Sequence, residues 1–500
     1  MVNINKRIDD FTVVVNAGTS LSDNSSDLLG YGGPIRDTGV PNVFNVFDLD
    51  NAKKRATQEG SEEMTQSIFA SAEIGWKSML YLTLTGRNDW ASQLKGSNPT
   101  SFFYPSVGLS AVISEMVTLP KAIDYLKVRG SFSSVGTPYP RFLVQPTYSY
   151  DPTKQDWNAK THYPIGKLKP ERTDSWEIGV DGTFFKDFKV SGSFYYANTY
   201  NQTFDPKITV SSGYSTLYVQ TGYVRNLGVE GLLSYGHTWR DFGWNSNFTF
   251  SWNKNKIVEL VKDYVHPETG EIVNKDRLEL KGLGYTKFIL KEGGALGDLY
   301  TNADFIRDDK GYIQIDKNGD VAKTDNLPDI KLGSVFPKAN LAWNNSFSYK
   351  GIYAGFQLSA RLGGIVYSAT QAALDQYGVS EASAAARDRG GVLVNGRSWV
   401  NAQQYYEIVA TSSGLPQYYT YSATNLRLQE AHIGYTIPRK WLGNICDINV
   451  SVVGRNLWMI YCKAPFDPEA IATTNNFYQG IDYFMMPSTR NFGFNVKINF

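Results

Sequence analysis

The chain has 500 residues, and its 49 Lys and Arg nearly balance its 48 Asp and Glu, giving a formal net charge of +1. That balance argues against a nucleic-acid-binding protein, which would carry a clear basic excess. Hydrophobic residues make up 42% of the chain and the mean hydropathy is −0.32. No run approaches the roughly 20 apolar residues of a transmembrane helix. The chain has only four His and two Cys, too few to favour a His-centred catalytic site, a zinc cluster or a disulfide framework. We therefore expect neither an enzyme nor a bound cofactor.

Fourteen stretches alternate between apolar and polar residues, which is the pattern of a strand whose two faces meet different environments. In the C-terminal stretch, the even-numbered residues from Phe492 to Phe500 are apolar and the odd-numbered ones are polar or glycine. A shorter stretch at 2–5 resembles the end of an earlier strand, followed by a turn at 6–9. The fourteen predicted strands span 9–18, 64–75, 79–89, 104–114, 124–134, 174–184, 188–199, 222–239, 243–254, 339–349, 352–362, 425–437, 446–457 and 490–500.

The connections between these strands alternate strictly between short and long. The short ones lie near 76–78, 115–123, 185–187, 240–242, 350–351 and 438–445. The long ones are 19–63, 90–103, 135–173, 200–221, 255–338, 363–424 and 458–489. Transmembrane β-barrels sort their connections in this way, with short periplasmic turns and long extracellular loops. We therefore predict an all-β protein, an antiparallel transmembrane β-barrel of the outer membrane with both chain ends on the periplasmic side.

Aromatic residues support the membrane location. They form 14% of the chain and cluster at predicted strand ends, for example at 102–104 and 195–200, as expected of girdles at the headgroup level. Alternation in a single strand would equally fit a half-buried strand of a soluble all-β protein. A soluble sandwich, however, gives no reason for connections sorted by length, so we favour the membrane barrel.

One stretch carries a candidate metal site. Asp316, Asn318 and Asp320, with Gly319 among them, resemble the start of a calcium loop. An EF-hand loop requires glycine at its sixth position and a bidentate Glu at its twelfth, whereas here glycine is fourth and Leu327 is twelfth. A turn in which Asn-Gly supplies the positive φ is the favoured interpretation, and calcium binding is the weaker alternative.

Other polar residues form no catalytic pattern. Glu171 with Glu177, and Asp308 with Asp309, are near in sequence, but glycoside hydrolysis requires two carboxyl groups at a set separation across a sugar. We find no nucleophile elbow, metal-ligand cluster or phosphate-binding glycine loop. The segment 370–389 has helical composition and predicts a short helix within an extracellular loop.

Nine segments, spread along nearly the whole chain, match a known family in their order and spacing. The segments are YPSVGLSAVISE (104–115), LKVRGSFSSVGTP (126–138), LKPERTDSWEIGVDGTFF (168–185), VRNLGVEGLLSY (224–235), SWNKNKIVEL (251–260), FPKANLAWNNSFSYKG (336–351), NLRLQEAHIGYTIPRKWL (425–442), GRNLWMIYCKAPFDPE (454–469) and RNFGFNVKINF (490–500). Together they resemble the barrel of SusC-like TonB-dependent outer-membrane transporters of Bacteroidetes, the RagA/SusC family.

The resemblance implies a 22-strand barrel closed by an N-terminal plug domain. It implies TonB-dependent nutrient uptake, with an oligosaccharide or for some members a peptide as cargo. The implied partners are a SusD-like surface lipoprotein, the TonB–ExbB–ExbD complex acting through the plug, the barrel-assembly machinery and outer-membrane lipid. The terminal aromatic, Phe500, would be part of the signal that the assembly machinery reads.

Fourteen strands are eight fewer than the implied 22, and the sequence shows no signal peptide, plug or TonB-contacting segment. We therefore expect residues 1–500 to form the C-terminal portion of a TonB-dependent receptor barrel. The sequence does not identify cargo-binding residues. Two alternatives stay open, namely a self-contained passive porin of fourteen strands and, less favoured, a soluble glycan-binding β protein.

Overall fold

One fifteen-stranded sheet dominates the computed structural model of the protein. Each strand pairs with its neighbours in the sequence, and all fourteen pairings are antiparallel. The sheet is therefore an up-and-down meander, as in transmembrane barrels. The structure describes residues 1–37, 43, 45–97, 100–137, 143, 148–151, 156–158, 170–204, 219–265, 270, 272–473 and 479–500.

The strands of this sheet are labelled β1 to β15 in chain order, and all fourteen predicted strands are confirmed. They are β1 Val2–Ile8, β2 Phe11–Gly32, β3 Arg55–Trp76, β4 Leu80–Ala91, β5 Phe102–Val112, β6 Ile123–Thr137, β7 Glu171–Phe184, β8 Phe188–Phe204, β9 Val219–Trp239, β10 Phe242–Glu259, β11 Ala339–Tyr349, β12 Ile352–Leu362, β13 Asn425–Ile437, β14 Asp447–Cys462 and β15 Asn491–Asn499.

Two predictions about the N-terminal strands were wrong in extent. The turn predicted at 6–9 is largely strand, because Lys6, Arg7 and Ile8 pair with β2. Together with the paired residues 2–5 they form a complete strand, so the sheet has fifteen strands and not fourteen. Much of the predicted loop 19–63 is also strand, since β2 and β3 stay paired from Phe11 and Trp76 up to Gly32 and Arg55. These added residues are mostly polar, and the apolar alternation that identified the other strands is weak there.

The short connections all lie at one end of the sheet and the long ones at the other, as predicted. Three of the short turns hold two successive residues in the left-handed region, at Lys77–Ser78, Phe185–Lys186 and Lys350–Gly351. Two such residues define the type I′ turn, whose twist matches that of the flanking strands. The short end is the periplasmic end in this class of sheet.

The two faces of the sheet differ in polarity. Trp176, Ile178 and Val180 of β7 point outward and are exposed, while Glu177 and Asp181 of the same strand point to the other face. The second face is the inner one, because residues of the long loops pack on it at Val224 and Ile257, both fully buried. An apolar outer face and a polar inner face are the arrangement of a lipid-exposed wall around an aqueous lumen.

One row of directly opposed residues crosses the inner face and reveals the tilt of the strands. Thr12 lies beside the first residue of β2, at the short-turn end, whereas Arg361 lies beside the last residue of β12, at the loop end. The row therefore moves from the short-turn end to the loop end as it crosses the sheet. Tilted strands in a closed barrel have a register that is staggered in this way. This register row comprises Arg7, Thr12, Gly75, Tyr81, Ser110, Arg129, Gly179, Ser193, Glu230, Ser251, Asn340, Arg361, Asn425 and Cys462.

Inner-face aromatic rings lie over glycines of the adjacent strand. Tyr195 covers Gly228, and its hydroxyl accepts a hydrogen bond of 2.6 Å from the Asn253 amide. Tyr353 covers Gly434 in the same way. A Cβ at either glycine would overlap the ring, so glycine lets a large side chain lie flat against the wall. The rings therefore pack on the wall instead of standing in the lumen.

The segment predicted as one helix forms two. Helices α2 (Ala369–Gln376) and α3 (Glu381–Asp388) are separated by Gly378, whose φ is +70°. Each is preceded by a serine, Ser368 or Ser380, that caps its first turn. A further helix, α4, was not predicted. The helices are α1 Ile113–Met116, α2 Ala369–Gln376, α3 Glu381–Asp388 and α4 Ala402–Val409. None of the helices in the described part of the chain has the length and apolar character needed to span a bilayer.

The long loops contain short strands and 3-10 turns of their own. The loop strands are Ser149–Asp151, Asp156–Asn158, Val261–Val265, Ile272–Lys275, Arg277–Lys281, Thr286–Lys291, Asp298–Thr301, Asp304–Phe305, Lys323–Thr324, Ile330–Ser334, Ile365–Ser368, Val392–Val394, Ser398–Val400, Thr420–Ser422 and Ile481–Asp482. The 3-10 turns of the long loops are Val46–Asp48, Ser92–Leu94 and Pro416–Tyr419, and a further one, Arg439–Leu442, lies in the short connection 438–445.

Candidate functional site

A charged cluster lies on the inner face of β6 to β8. The Arg129 guanidinium donates a hydrogen bond to the Glu177 carboxylate, and its Nε lies 3.5 Å from Oδ2 of Asp181. The Ser191 hydroxyl donates to Oδ1 of Asp181 over 2.6 Å. The sheet thus brings together charges that are far apart in sequence, and the one cation faces two carboxylates. Such a surface stays hydrated and can exchange hydrogen bonds with a polar solute.

A shallow recess of about 500 Å³ adjoins this cluster. Arg129, Ser193, Glu230, Ser251 and Asn340 contribute to its wall, and all five belong to the register row. The recess therefore follows the inner wall across several strands. It offers donors and acceptors of both charge signs, which suits hydroxyl or amide groups and provides no activated nucleophile.

Three long loops fold together into one unit above the sheet, here called the loop cluster (260–338, 363–424 and 463–490). Residues of all three loops share one buried core, which is larger than any other apolar cluster in the described part of the chain. The core consists of Phe288, Leu299, Ala303, Phe305, Val321, Val335, Tyr367, Ala372, Val394, Val400, Val409, Ala410, Leu415, Tyr419 and Ile481. Burial on this scale makes the cluster a folded structure instead of a set of independent loops.

Hydrogen bonds join the loop 463–490 to the loop 363–424. The Asp482 carboxylate accepts hydrogen bonds from the hydroxyls of Ser368 (2.5 Å) and Thr370 (2.9 Å), and the strands Ile365–Ser368 and Ile481–Asp482 pair in parallel. Asp482 is buried, so its charge depends on these donors for solvation.

A buried ion pair fastens the same loop to the wall. The Arg427 guanidinium of β13 donates two hydrogen bonds to the Asp467 carboxylate, at 2.7 and 3.2 Å, and also lies 3.2 Å from Glu469. Arg427 is only 5% exposed. Burial alone would raise the pKa of the Asp467 carboxyl, but hydrogen bonds from Arg427 and from the Glu469 backbone, with the Arg427 charge, lower it overall.

A second buried network joins the helices to the 3-10 turn at 416–419. The Asp375 carboxylate accepts hydrogen bonds from the hydroxyl of Tyr419, at 2.9 Å, and from that of Ser380. Burial and the neighbouring Asp375 charge raise the pKa of Tyr419 well above its ordinary value. Tyr419 therefore remains a neutral donor at any physiological pH, and the network has a structural role.

The outer surface of the loop cluster exposes large apolar side chains. Tyr377 between α2 and α3 is 75% exposed and Val379 is also exposed. Trp399 is 56% exposed and lies directly opposite Leu393 in a two-stranded hairpin. Several such side chains on one folded unit are more than the scattered apolar residues of an ordinary surface, and they suit contact with a partner.

The candidate calcium residues form a turn. Oδ1 of Asp316 accepts hydrogen bonds from the backbone N–H groups of Asn318 (2.8 Å) and Asp320 (3.0 Å), and Gly319 has a φ of +87°. The residues on either side of the turn, Ile315 and Val321, form an isolated antiparallel bridge. The Asp316 carboxylate is thus occupied with the turn, and the described residues contain no cluster of three metal-ligating side chains. Calcium binding at this turn stays an untested prediction.

The other acidic pairs are also explained by local structure. Asp308 accepts hydrogen bonds from the backbone of Lys310 and Tyr312, each 2.9 Å long, which repeats the turn at Asp316. Glu177 is bound by Arg129. Phe500 lies just beyond β15 and is exposed, in outward register with the apolar residues of that strand. Its role in barrel assembly stays a prediction.

Sequence reasoning missed two of the groups that organise this region, Arg129 and the pair Arg427–Asp467. Arg129 and Arg427 lie on predicted strands, so the alternation of apolar and polar residues already predicted that both side chains face inward. Asp467 lies in a long loop, and nothing in the sequence places it beside Arg427.

An antiparallel meander with an apolar outer face, a polar inner face and folded loops at one end is the wall of an outer-membrane β-barrel protein. Residues 4–457 match the family model described as "TonB dependent receptor-like, beta-barrel". The chain therefore belongs to the TonB-dependent receptor β-barrel family, whose members are outer-membrane receptors and not enzymes.

Curated relatives agree with this family. TonB-dependent receptor P3 of Formosa agariphila is 24% identical over 470 residues, covering 86% of this chain and 45% of the relative. TonB-dependent receptor SusC of Bacteroides thetaiotaomicron is 22% identical over 433 residues, covering 78% of this chain and 40% of the relative. This chain spans less than half the length of these relatives.

A solved structure shares the fold. The RagAB peptide importer in its open-open state superposes with a TM-score of 0.73 at 16% identity, covering 100% of this chain and 54% of that chain. At this identity the likeness concerns the fold alone.

Proposed function

We propose that this chain forms the C-terminal wall and loop cluster of a SusC-type importer that takes up a polar nutrient with energy supplied through TonB. The observation that carries the proposal is the polar register row, which runs across fourteen strands of the inner face beneath a folded loop cluster. A lumen wall of this kind offers hydrogen bonds to a solute and is covered by a structured mouth.

The strand number supports completion of the barrel by a further segment. β1 and β15 both run toward the short-turn end, so pairing them with each other would be parallel. An antiparallel barrel has an even number of strands, and fifteen is odd. Seven further strands would complete a barrel of 22, the size of plugged outer-membrane transporters. The same argument disfavours the self-contained fourteen-strand porin.

Cargo and partners are inferred from chemistry. The inner wall is polar and carries both charge signs, which suits an oligosaccharide or a peptide. The exposed Tyr377, Val379, Leu393 and Trp399 suit an apolar patch on a SusD-like surface lipoprotein seated on the loop cluster. Coupling to TonB would run through a plug domain, and its contact surface on this chain would be the inner face.

Uptake measurements test the proposal. Cells with and without the complete gene are given labelled oligosaccharides and labelled peptides, before and after the proton-motive force is dissipated. We expect one cargo class to enter only when both the gene and the proton-motive force are present. Gene-dependent uptake that is unchanged by dissipation would show a passive channel and refute the energised mechanism.

A further inference from the structure

Three cations lie together on the outer face of the sheet, at its loop end. Arg225 of β9 and Lys256 of β10 are directly opposed, and Lys254 is opposed to Leu227, one step nearer the short turns. Lys254 and Lys256 share the outward register of Trp252, and both are exposed. The outward direction excludes them from the lumen and from any cargo path.

The cations lie at the edge of the apolar band. Trp252 is the last aromatic residue on the outward face of β10, and Lys254 and Lys256 follow it toward the loop end, with Arg225 directly opposite Lys256. On β10 the outward residues from Trp244 to Trp252 span about 27 Å along the strand. At a strand tilt of about 40°, the ten residue steps from Trp244 to Lys254 rise by about 26 Å, which matches an apolar band roughly 25 Å tall. The three cations are thus at the headgroup level of the outer leaflet.

Arg225 is held rigidly by neutral groups. Its guanidinium carbon lies 5.1 Å from the ring centroid of Tyr196 and 5.5 Å from that of Tyr223. Nη2 donates to the Tyr223 hydroxyl over 2.5 Å, and Nε donates to the Asn198 side chain over 3.3 Å. Phenol and amide oxygens fix the orientation of the guanidinium and leave its charge uncompensated.

The charge of the group is not balanced by nearby acids. Among the residues that the structure describes, no carboxylate forms an ion pair with Arg225, Lys254 or Lys256, whereas Arg172 on the same face is paired with Asp174 at 2.9 Å. Three like charges beside a low-dielectric layer repel one another unless an anion joins them. One guanidinium on β9 and two ammonium groups on the adjacent β10 supply several charged donors within a few residues of one another, the kind of donor set that binds a phosphate.

We propose that Arg225, Lys254 and Lys256 bind the phosphate of an anionic lipid headgroup in the outer leaflet. The acyl chains of that lipid would lie against the apolar wall below the cations, over Trp252 and Phe250. The inference does not depend on the cargo or on TonB coupling, because the three residues face away from the lumen.

Thermal unfolding of the full-length protein, extracted from the outer membrane and stripped of lipid, tests the proposal. The probes are phosphorylated lipid A in detergent, the same lipid A without its phosphates, and inorganic phosphate. We expect only phosphorylated lipid A to raise the Tm. The rise should fall by at least about two-thirds in R225Q/K254Q/K256Q, because ligand stabilisation scales with the affinity of the site.

Matched variants make the result decisive. K254R/K256R keeps the charges and should keep the shift, and K281Q/K310Q/K317Q removes three exposed loop lysines and should also keep it. If the triple variant does not fold, the exposed pair K254Q/K256Q must still lose part of the shift. Equal shifts with dephosphorylated lipid A or with inorganic phosphate would overturn the proposal. So would an equal loss in the loop-lysine control.

Discussion

Arg427 and Asp467 form a two-pronged ion pair, with nitrogen–oxygen distances of 2.7 and 3.2 Å, between the inner wall and the loop 463–490. Both side chains are largely withdrawn from solvent. Removing Asp467 would leave a buried guanidinium without its main partner, and breaking such a pair costs roughly 3–5 kcal/mol. We expect Asp467→Ala to release the loop, seen as faster proteolysis within 463–490 while the barrel stays folded.

Two variants control this experiment. Glu469 also contacts Arg427 but is more exposed, so Glu469→Gln should change the cleavage rate little. The double variant R427M/D467L removes both charges and should restore much of the protection. Cleavage at the wild-type rate in Asp467→Ala would contradict the role of the pair.

Acid should loosen the same loop. The folded-state pKa of Asp467 is lowered from its ordinary 3.8, so the pair contributes stability above that pH and loses it as the pH falls through the lowered value. Hydrogen exchange in 463–473, corrected for intrinsic rate, should be flat from about pH 7 to pH 5 and rise below about pH 4. Asp467→Asn should abolish the dependence, and a rise already at neutral pH would refute the assignment.

Tyr419 should stabilise the loop cluster through its hydroxyl. It is 4% exposed and donates to Asp375, so Tyr419→Phe leaves a buried carboxylate oxygen without a donor, at a cost of about 1–3 kcal/mol. We expect faster hydrogen exchange in α2 and α3. The adjacent Tyr418→Phe is the matched control, because that side chain is exposed. Equal effects of the two substitutions would argue against the network.

Gly228 should be essential for packing of the inner wall. A Cβ there would overlap the Tyr195 ring, whereas a Cβ at Gly231 on the same strand meets no atom within 4 Å. Gly228→Ala should therefore lower the thermal stability of the folded barrel, by about 1–3 kcal/mol as for other overpacked sites, while Gly231→Ala should not. The double variant G228A/Y195A should recover folding. Heat-modifiable mobility on gels reports the folded fraction.

The sheet should not close from residues 1–500 alone. An open edge in lipid leaves backbone groups unpaired at several kcal/mol each, and β1 and β15 cannot pair in antiparallel fashion. We expect little heat-modifiable protein from this segment in isolation and efficient formation when the preceding part of the gene is supplied in the same cell. Efficient barrel formation by the segment alone would refute the proposed completion.

Strand positions followed from the sequence because the membrane imposes a period of two on every spanning segment. The limits of β11, β12 and β13 were predicted to the residue, since each alternates cleanly and is bounded by a turn or a loop. The loop-end halves of β2 and β3 are polar and do not face lipid. There the strands continue through backbone pairing alone, and no apolar–polar alternation marks them in the sequence.

Tertiary structure alone decided which side chains meet. Arg129 contacts Glu177 and Asp181 because the strand register places all three on the inner face. Asp467 contacts Arg427 because its loop is held in place by the core that the three loops share. The odd strand number depended on the pairing of residues 2–8 with β2. Periodicity is a local property that every residue of a strand reports, whereas contacts between loops depend on the packing of segments far apart in the chain. The sequence therefore determined the barrel wall and the class of protein, and only the folded chain determined the loop cluster and the charged groups.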